Sequence, residues 1–557
     1  MGIQLERPDL ENTAFTRRLI LLSVLGVFLL GLPIWWKTTE IHRAPLPFDE
    51  IRRWAGPGVL DAKVFVNIDL RVDSSDSEAL PPNSPSLAAT IEERVNSIYG
   101  SVSGSDLGRP TQAANQPSEA ASIALAFRIQ DHIADGGSGT KKDEEPGNYE
   151  VHVTCKAPES GEDVVSVSAS RIVDITTTCA SDQLPNRIAV VIAGLFADEQ
   201  KKYLASSSKE DNAHDHDNMR MVKYAPEYQV TFSLLNGDPT DANVSWDIQN
   251  GIDYFILPFL NTISKLSNFS VSSQIQHYAA LPIEPEVYPS SFCLRPHMLP
   301  HFINSAEWNL ASTVAKGTPL NFVLYIPPKS QTPLVLLRSD GQPHPTNAFL
   351  IPRWGGIVVR DPPTSDRLSL DDLHPIMEIF LAQLRGLLGV KETRISNAGV
   401  LLEGTSITYE SERNIGVTAW EHDRLIRERT VQNLVDAVTT LNSLGKLIEA
   451  GENMIVLDEI RTKVLTSLTS IHHCHKALQN SSNPTLAYSH SRTAILNAES
   501  AFFDPTMVSM LYFPDEHKYA IYMPLFVPVC VPVLATVLKE IKGWRSKRKE
   551  KGKKKAE

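Results

Sequence analysis

A chain of 557 residues, 42 % of them apolar, can build several buried cores, which excludes a small module stapled by disulfides or a metal. The formal net charge of −12 at pH 7 conceals a basic end: from Lys539 onward ten Lys and Arg stand against three Glu, so the rest of the chain is strongly acidic. An acidic body excludes the broad basic surface of a nucleic-acid binder, and no nucleic-acid partner is expected.

Residues 1–18 carry balanced charge and end on Arg17-Arg18. Leu19 to Trp36, LILLSVLGVFLLGLPIWW, then runs without a charge and closes on a Trp pair. That length crosses a hydrocarbon core of ~30 Å as a helix. The following KTTEIHRAP lacks a small-x-small exit, so the segment is predicted to be an uncleaved anchor over 19–36 rather than a signal peptide.

The next long region, 37–410, alternates strand and helix patterns. KVFVNIDL from Lys63 places Val64, Val66, Ile68 and Leu70 on one face, a strand period. A polar stretch leads to the helix-like ATIEERVNSIYG. IALAFRIQ from Ile123, YEVHVTC from Tyr149 and VVSVSASRIVDI from Val164 read as strands, and PNRIAVVIAGLFADEQKKYL as a helix of crossover length. Two stretches, about 135–147 and 206–220, have almost nothing to bury and are predicted to be surface loops. The second contains Asp215-His216-Asp217, formally the DxD that glycosyltransferases use on a metal and a sugar nucleotide. No rigid element holds those carboxylates, so a solvated loop is the expectation.

After Tyr228 the pattern resumes with YQVTFSLLNG as strand, SWDIQNGIDYFILPFLNTISKLSNF as helix and SVSSQIQHYA as strand. PLNFVLYIPP, PLVLLRSDG and GGIVVRD are further strands. Asp371 or Asp372 can cap a helix whose Ile376, Phe380, Leu384 and Leu387 or Leu388 form one apolar stripe, ended by Gly389. Trp354-Gly355-Gly356 is predicted to be a close-packing or interface turn, because glycine permits close backbone approach and Trp supplies area. Alternating strands and helices give an α/β (mixed α+β) class.

Residues 411–518 turn almost wholly helical, which predicts a helical bundle. It contains Ser470 to Leu478, SIHHCHKAL, three histidines and a cysteine in four consecutive positions. On a helix His472 and His475 share a face while His473 and Cys474 point elsewhere, so no more than two of the four can bind one metal. A nucleophilic Cys474 needs a base at hydrogen-bond distance, and adjacent helical residues do not face each other. No catalytic residue, metal or cofactor is therefore expected, and no G-x-S-x-G, H-E-x-x-H, C-x-x-C or phosphate-binding glycine motif occurs.

Tyr519 to Leu538, twenty uncharged residues with Pro524, Pro528 and Pro532 on one helical face, is a second predicted span over 519–538. The basic tail, 539–557, stays cytosolic beside it, which places both termini in the cytosol and the region between the spans across the membrane. Lys554 and Lys555, four and three residues from the end, resemble a dilysine retrieval signal of the endoplasmic reticulum. Asn243, Asn268 and Asn480 open N-x-S sequons. Cys155, Cys179, Cys293 and Cys474 lie where disulfides persist, and four thiols allow three complete pairings.

Three blocks carry a resemblance. Ser245 to Ala279, with an N-F-S sequon just before V-x-S-Q-I, is similar to a block of the PIG-S family of GPI transamidase subunits. NAFLIPRWGGIVV from Asn347 and MEIFLAQLRGLLG from Met377 resemble two further family blocks in the same order, within a match spanning about Val230 to Val390. The resemblance implies an accessory, noncatalytic subunit of the enzyme that joins glycosylphosphatidylinositol to the new C-terminus of a lumenal proprotein. It implies PIG-K, PIG-T, PIG-U and GAA1-type partners in the endoplasmic reticulum membrane, the nucleophilic thiol and its histidine belonging to the caspase-like PIG-K, and contact with GPI lipid or proprotein. It also favours Asn268 as the glycosylated sequon. The alternatives are an independent lumenal glycosyltransferase or hydrolase, and a scaffold unrelated to GPI.

Overall fold

The computed structural model describes residues 43–74, 86–102, 123–131, 146–155, 163–177, 183–207, 220–304 except 242, 282 and 290, 317–395, 405–451 except 413–414, 454–509 except 481–482, 515–553, and isolated positions between 19 and 37. Among them the chain divides into two compact units. One is Arg53–Asp436 with Ser470–Ala494; the other gathers described parts of 1–52 with Ala437–Thr469 and Ile495–Glu557.

The larger unit contains two sheets with one topology. In the first lobe β1 (Ala62–Ser74), β2 (Ile123–Asp131), β3 (Asn148–Cys155), β4 (Asp163–Val167) and β5 (Ile172–Thr177) form the order β4-β5-β3-β1-β2. All neighbours are parallel except the β4–β5 hairpin. Helix α1 (Leu87–Val102) lies between β1 and β2 in sequence, and α2 (Leu184–Ser207) follows β5.

The second lobe repeats this plan. β6 (Glu227–Asn236), β8 (Asn268–His277), β11 (Thr318–Ile326), β13 (Ala348–Ile351) and β14 (Gly355–Val359) run in the order β13-β14-β11-β6-β8, again parallel but for the β13–β14 hairpin. The helical stretch α3 (Ile248–Ile263) joins β6 to β8, and α4 (Leu370–Leu388) follows β14. Two-residue β7 (Ser245–Trp246) pairs with β15 (Arg367–Leu368), and β9 (Glu286–Tyr288), β10 (Ser291–Leu294) and β12 (Leu334–Leu336) make a small sheet of their own. A parallel sheet needs helices on its faces to cover strands that are apolar on both sides. β11 fits that description, with every residue from Leu320 to Ile326 at or below 5 % exposure. Phe232 of β6, Phe322 of β11 and Phe380 of α4 meet at ring centroid distances of 5.5 to 5.7 Å in the core of this lobe.

Several elements differ from the sequence reading for local reasons. VVSVSASRIVDI is a hairpin: Ser168-Ala169-Ser170-Arg171 makes the turn, with Ser168 N–H donating to the Ile172 carbonyl at 3.0 Å. Helix α3 starts two residues after the short strand at Ser245 and widens to a π-turn over Ile252–Ile256. Pro258 supplies no N–H to the carbonyl four residues back, which loosens the helix there. The cap of α4 is Ser369, whose side chain accepts from Asp372 N–H while the Asp372 carboxylate accepts from Ser369 N–H. Gly389 ends that helix at φ +78°, a left-handed conformation that glycine adopts without a Cβ penalty.

The helical segment comprises α5 (Ala419–Ala450), α6 (Asp458–Asn480) and α7 (Pro484–Phe502), and β16 (Thr405–Tyr409) adds to the first sheet beside β4. In the smaller unit, Ala44 N–H donates to Val456 O at 2.9 Å and Lys463 reaches Asp504 at 3.1 Å. Gly445 of α5 leaves room there for Ile51 and Phe48, which a Cβ would touch at 3.7 and 3.8 Å.

The last helix, α8 (Asp515–Lys553), carries the three prolines. No single described helix is long and apolar enough to cross a membrane. Ala520–Pro528 and Cys530–Gly543 pass that test together, bent by 42°. Prolines within a helix remove hydrogen bonds and crowd the preceding turn, which accounts for a bend at this place. The predicted 19–36 span lies mostly outside the described residues.

Candidate functional site

The densest buried chemistry lies along the first turns of α5. Thr418 and Glu421 cap the helix reciprocally, Thr418 N–H to Glu421 Oε2 at 2.9 Å and Glu421 N–H to Thr418 Oγ1 at 3.3 Å. Glu421, Asp423, Arg427, Glu428 and Arg429 follow, all buried. Arg427 donates Nε and Nη2 to the two oxygens of Glu199 on α2, both at 2.8 Å, and Nη1 to Tyr149 OH at 2.5 Å. Tyr203 OH donates to Glu199 Oε1 at 2.6 Å. Asp423 accepts both ends of the Arg171 guanidinium, at 2.6 and 2.7 Å, and the Gly147 N–H at 3.1 Å. Glu428 accepts from Lys202 at 2.5 Å and Arg424 at 2.9 Å. Trp420 stacks on Tyr149 at 4.4 Å. The opposite side of the same turns reaches the second lobe: Arg385 of α4 donates to Glu421 at 2.7 Å, and Arg429 to the Leu388 carbonyl at 3.1 Å.

Burial and the neighbouring charges pull in opposite directions on several of these groups. Burial alone would raise the Asp423 carboxyl, but the Arg171 guanidinium and the further donors around it hold it well below the usual carboxylate range. Glu428 is lowered in the same way, burial opposed by Lys202 and Arg424. Arg427 is raised despite burial, chiefly by Glu199, and burial pushes Tyr149 and Tyr203 up. None of these shifts poises a group to exchange protons near neutrality. The arrangement locks α5 to both lobes by bidentate ion pairs.

The residues singled out in the sequence lie elsewhere. His472 and His475 of α6 pack edge-on against Trp54, at 6.3 and 5.5 Å between ring centroids, and His473 faces His490 of α7 at 5.4 Å. Cys474 is fully buried and free, its thiol pushed up to about 12 by burial. Among the described residues no group of three or more His, Cys, Asp or Glu could hold a metal ion. Cys155 is disulfide-bonded, while Cys293 is buried and free. Cys155, Cys179, Cys293 and Cys474 therefore do not form two bridges. Asp215, Asp217, Lys554 and Lys555 lie outside the described residues. Asn243 and Asn268 are exposed, the latter as the first residue of β8 at the sheet edge, and Asn480 is the last residue of α6.

A family model described as "Phosphatidylinositol-glycan biosynthesis class S protein" matches residues 22–547. The chain belongs to this PIG-S family. The "GPI-anchor transamidase component PIGS" of Rattus norvegicus is 34 % identical over 550 residues, covering 95 % of this chain and 96 % of the relative. That of Homo sapiens is 32 % identical over 559 residues, covering 96 % and 97 %. The "GPI transamidase component PIG-S homolog" of Schizosaccharomyces pombe is 26 % identical over 552 residues, covering 98 % and 87 %.

The three sequence blocks that carry the PIG-S resemblance all build the second lobe: β7 through β8, the β13–β14 hairpin, and α4. Their glycines have a packing reason. A Cβ on Gly355 would stand 1.8 Å from the Asn321 carbonyl oxygen of β11, and one on Gly356 1.9 Å from Gln383 Oε1 of α4. Trp354, half-buried, packs beside them. The seam on α5 escaped the sequence reading. Its signal was present in HDRLIRERTVQN, where Asp423 and Arg427, four apart, fall on the stripe that also carries Trp420, Val431 and Leu434. A charge pair on an apolar stripe marks a partnered, buried pair.

Proposed function

We propose that this chain is a noncatalytic subunit of the endoplasmic reticulum GPI transamidase, supporting transfer of preassembled GPI to the C-terminus of proproteins after removal of their C-terminal signal. The observation that carries the reading is the match over nearly the whole chain to relatives named as transamidase components. The buried Cys474 thiol supports the noncatalytic part. In this reading the nucleophilic cysteine and histidine belong to the caspase-like PIG-K subunit, with PIG-T, PIG-U and the GAA1-type subunit as further partners and GPI or proprotein touched in the assembled complex.

The topology proposed is two-pass, with 19–36 and 519–538 spanning, both termini cytosolic, an α/β region over 37–410 and a helical region over 411–518 in the lumen. The basic tail and the bent apolar pair in α8 support it, as does a disulfide at Cys155, a bond that persists in an oxidising compartment. Lys554 and Lys555 serve as the retrieval signal, and Asn268, then Asn243 and Asn480, as glycan acceptors.

Affinity capture of a tagged full chain from mild-detergent membranes, with mass spectrometry of stoichiometric partners, tests the reading. Recovery of the caspase-like subunit with the other components is the expected result. Their absence, with the protein intact and resident in the endoplasmic reticulum, overturns it.

A further inference from the structure

The shared topology of the two lobes makes β2 and β8 equivalent strands, each at the same edge of its sheet. Their outer edges are treated in opposite ways. In the first lobe, side chains of the two flanking helices close the edge. Leu125 N–H donates to Gln200 Oε1 at 2.8 Å, Phe127 N–H to Asn96 Oδ1 at 3.4 Å, and Ile129 N–H to Glu92 Oε2 at 3.0 Å. Three successive outward amides of the strand are thereby capped.

β8 has no such cover among the described residues. Asn268 N–H donates to the Pro226 carbonyl at 2.9 Å, which together with the parallel register to β6 fixes the alternation. Asn268, Ser270, Ser272, Gln274 and Gln276 turn their backbone groups toward β6; Phe269, Val271, Ser273, Ile275 and His277 turn theirs outward. Those five outward amides and five carbonyls have no partner among the described residues.

The strand also lacks the devices that protect an edge. NFSVSSQIQH contains no proline, lysine, arginine or acidic residue, and it runs ten residues without a bulge. Its two faces differ. Phe269 and Val271 pack on the core, with Ile275 41 % exposed beyond them, whereas the other face is a polar ladder in which Ser272 meets Thr231 at 3.1 Å and Gln274 donates to Ser233 at 2.9 Å. Strand addition already occurs within this chain, where the distant β16 joins the opposite edge of the first sheet beside β4.

We infer that the open edge of β8 is a docking site for an extended segment of a partner subunit, added as a sixth strand to the second sheet. The outward amides and carbonyls dictate a β-conformation backbone as occupant. The faces dictate alternation: apolar side chains on the side of Phe269, Val271 and Ile275, small polar ones on the side of Ser270, Ser272 and Gln274. The inference rests on the transamidase reading for the identity of the partner.

Amide hydrogen exchange on the full chain, alone and in the captured complex, tests it. In the complex the amides of Phe269, Val271, Ser273 and Ile275 slow by at least about tenfold, while those facing β6 are slow in both states. Ser273→Pro removes one outward N–H without touching the ladder to β6, and Ser273→Lys places a charge on the edge. Each retains the melting temperature of the parent and loses partner capture; should the proline variant fail to fold, the lysine variant decides. Equal exchange in both states, parental capture by the lysine variant, or protection found in a dimer of the chain alone overturns the inference. Failure of the parent chain to capture any transamidase component overturns the subunit reading and this inference together, whereas capture with the outward amides unprotected overturns this inference alone.

Discussion

Arg427 and Glu199 stand 228 residues apart in the chain and meet through two parallel N–H···O bonds of 2.8 Å, each side chain 2 % exposed. Removing one member leaves the other as an uncompensated buried charge. Arg427→Ala is expected to destabilise the protein by about 3–5 kcal/mol, whereas Arg427→Met with Glu199→Leu recovers most of that loss. Thermal and urea unfolding of the single and double variants measures the difference; equal losses in all three would show that the pair does not act as a unit.

The same seam predicts a pH dependence whose sign follows from Asp423. Its folded pKa lies below the unfolded value of about 3.9, so its contribution to stability is fully present above that value and is lost as pH falls through the more acidic range. Glu428 is lowered too and acts in the same direction. The melting-temperature gap between parent and Asp423→Asn should stay nearly constant from pH 8 to 5, which is still about one unit above that unfolded value, and close progressively below about pH 4.

Gly355 and Gly356 differ in what their neighbours can yield. A Cβ at Gly356 meets the end of the Gln383 side chain, which can move at the cost of its 3.0 Å bond to the Phe349 carbonyl; one at Gly355 meets the backbone of Asn321. Gly356→Ala is expected to cost about 1–3 kcal/mol and Gly355→Ala more. Adding Gln383→Ala should relieve the first and leave the second unchanged, read by unfolding midpoints.

Cys474 makes a chemical prediction. Full burial and a thiol raised to about 12 leave almost no thiolate at neutral pH. A maleimide should label it only on unfolding, and Cys474→Ala at parental abundance should preserve the display of GPI-anchored proteins at the cell surface. Loss of display at normal abundance would point to a chemical role for the thiol.

Asn268 begins an exposed edge strand. Asn268→Gln should increase electrophoretic mobility by one glycan, a shift abolished when the parent is first treated with an endoglycosidase.

Much of the fold was legible because its signals are local. Alternation in KVFVNIDL, the apolar stripe of Ile376, Phe380 and Leu384, and the left-handed stop at Gly389 each act within a few residues, and each element formed near its predicted place. The turn in VVSVSASRIVDI was missed because four small or polar residues can continue a strand or reverse it. Which happens depends on the strands alongside.

The sequence by itself determined the mixed α/β class, the apolar and basic character of the C-terminal helix, and the three blocks that mark the PIG-S family, because periodicity, charge and word order are properties of the chain. Only the tertiary structure decided that two lobes share one strand order, that Arg427 finds Glu199, and that β2 is capped while β8 has no such cover among the described residues. Those are pairings between residues tens to hundreds of positions apart, and a linear pattern records the need of a buried charge for a partner without recording which partner answers it.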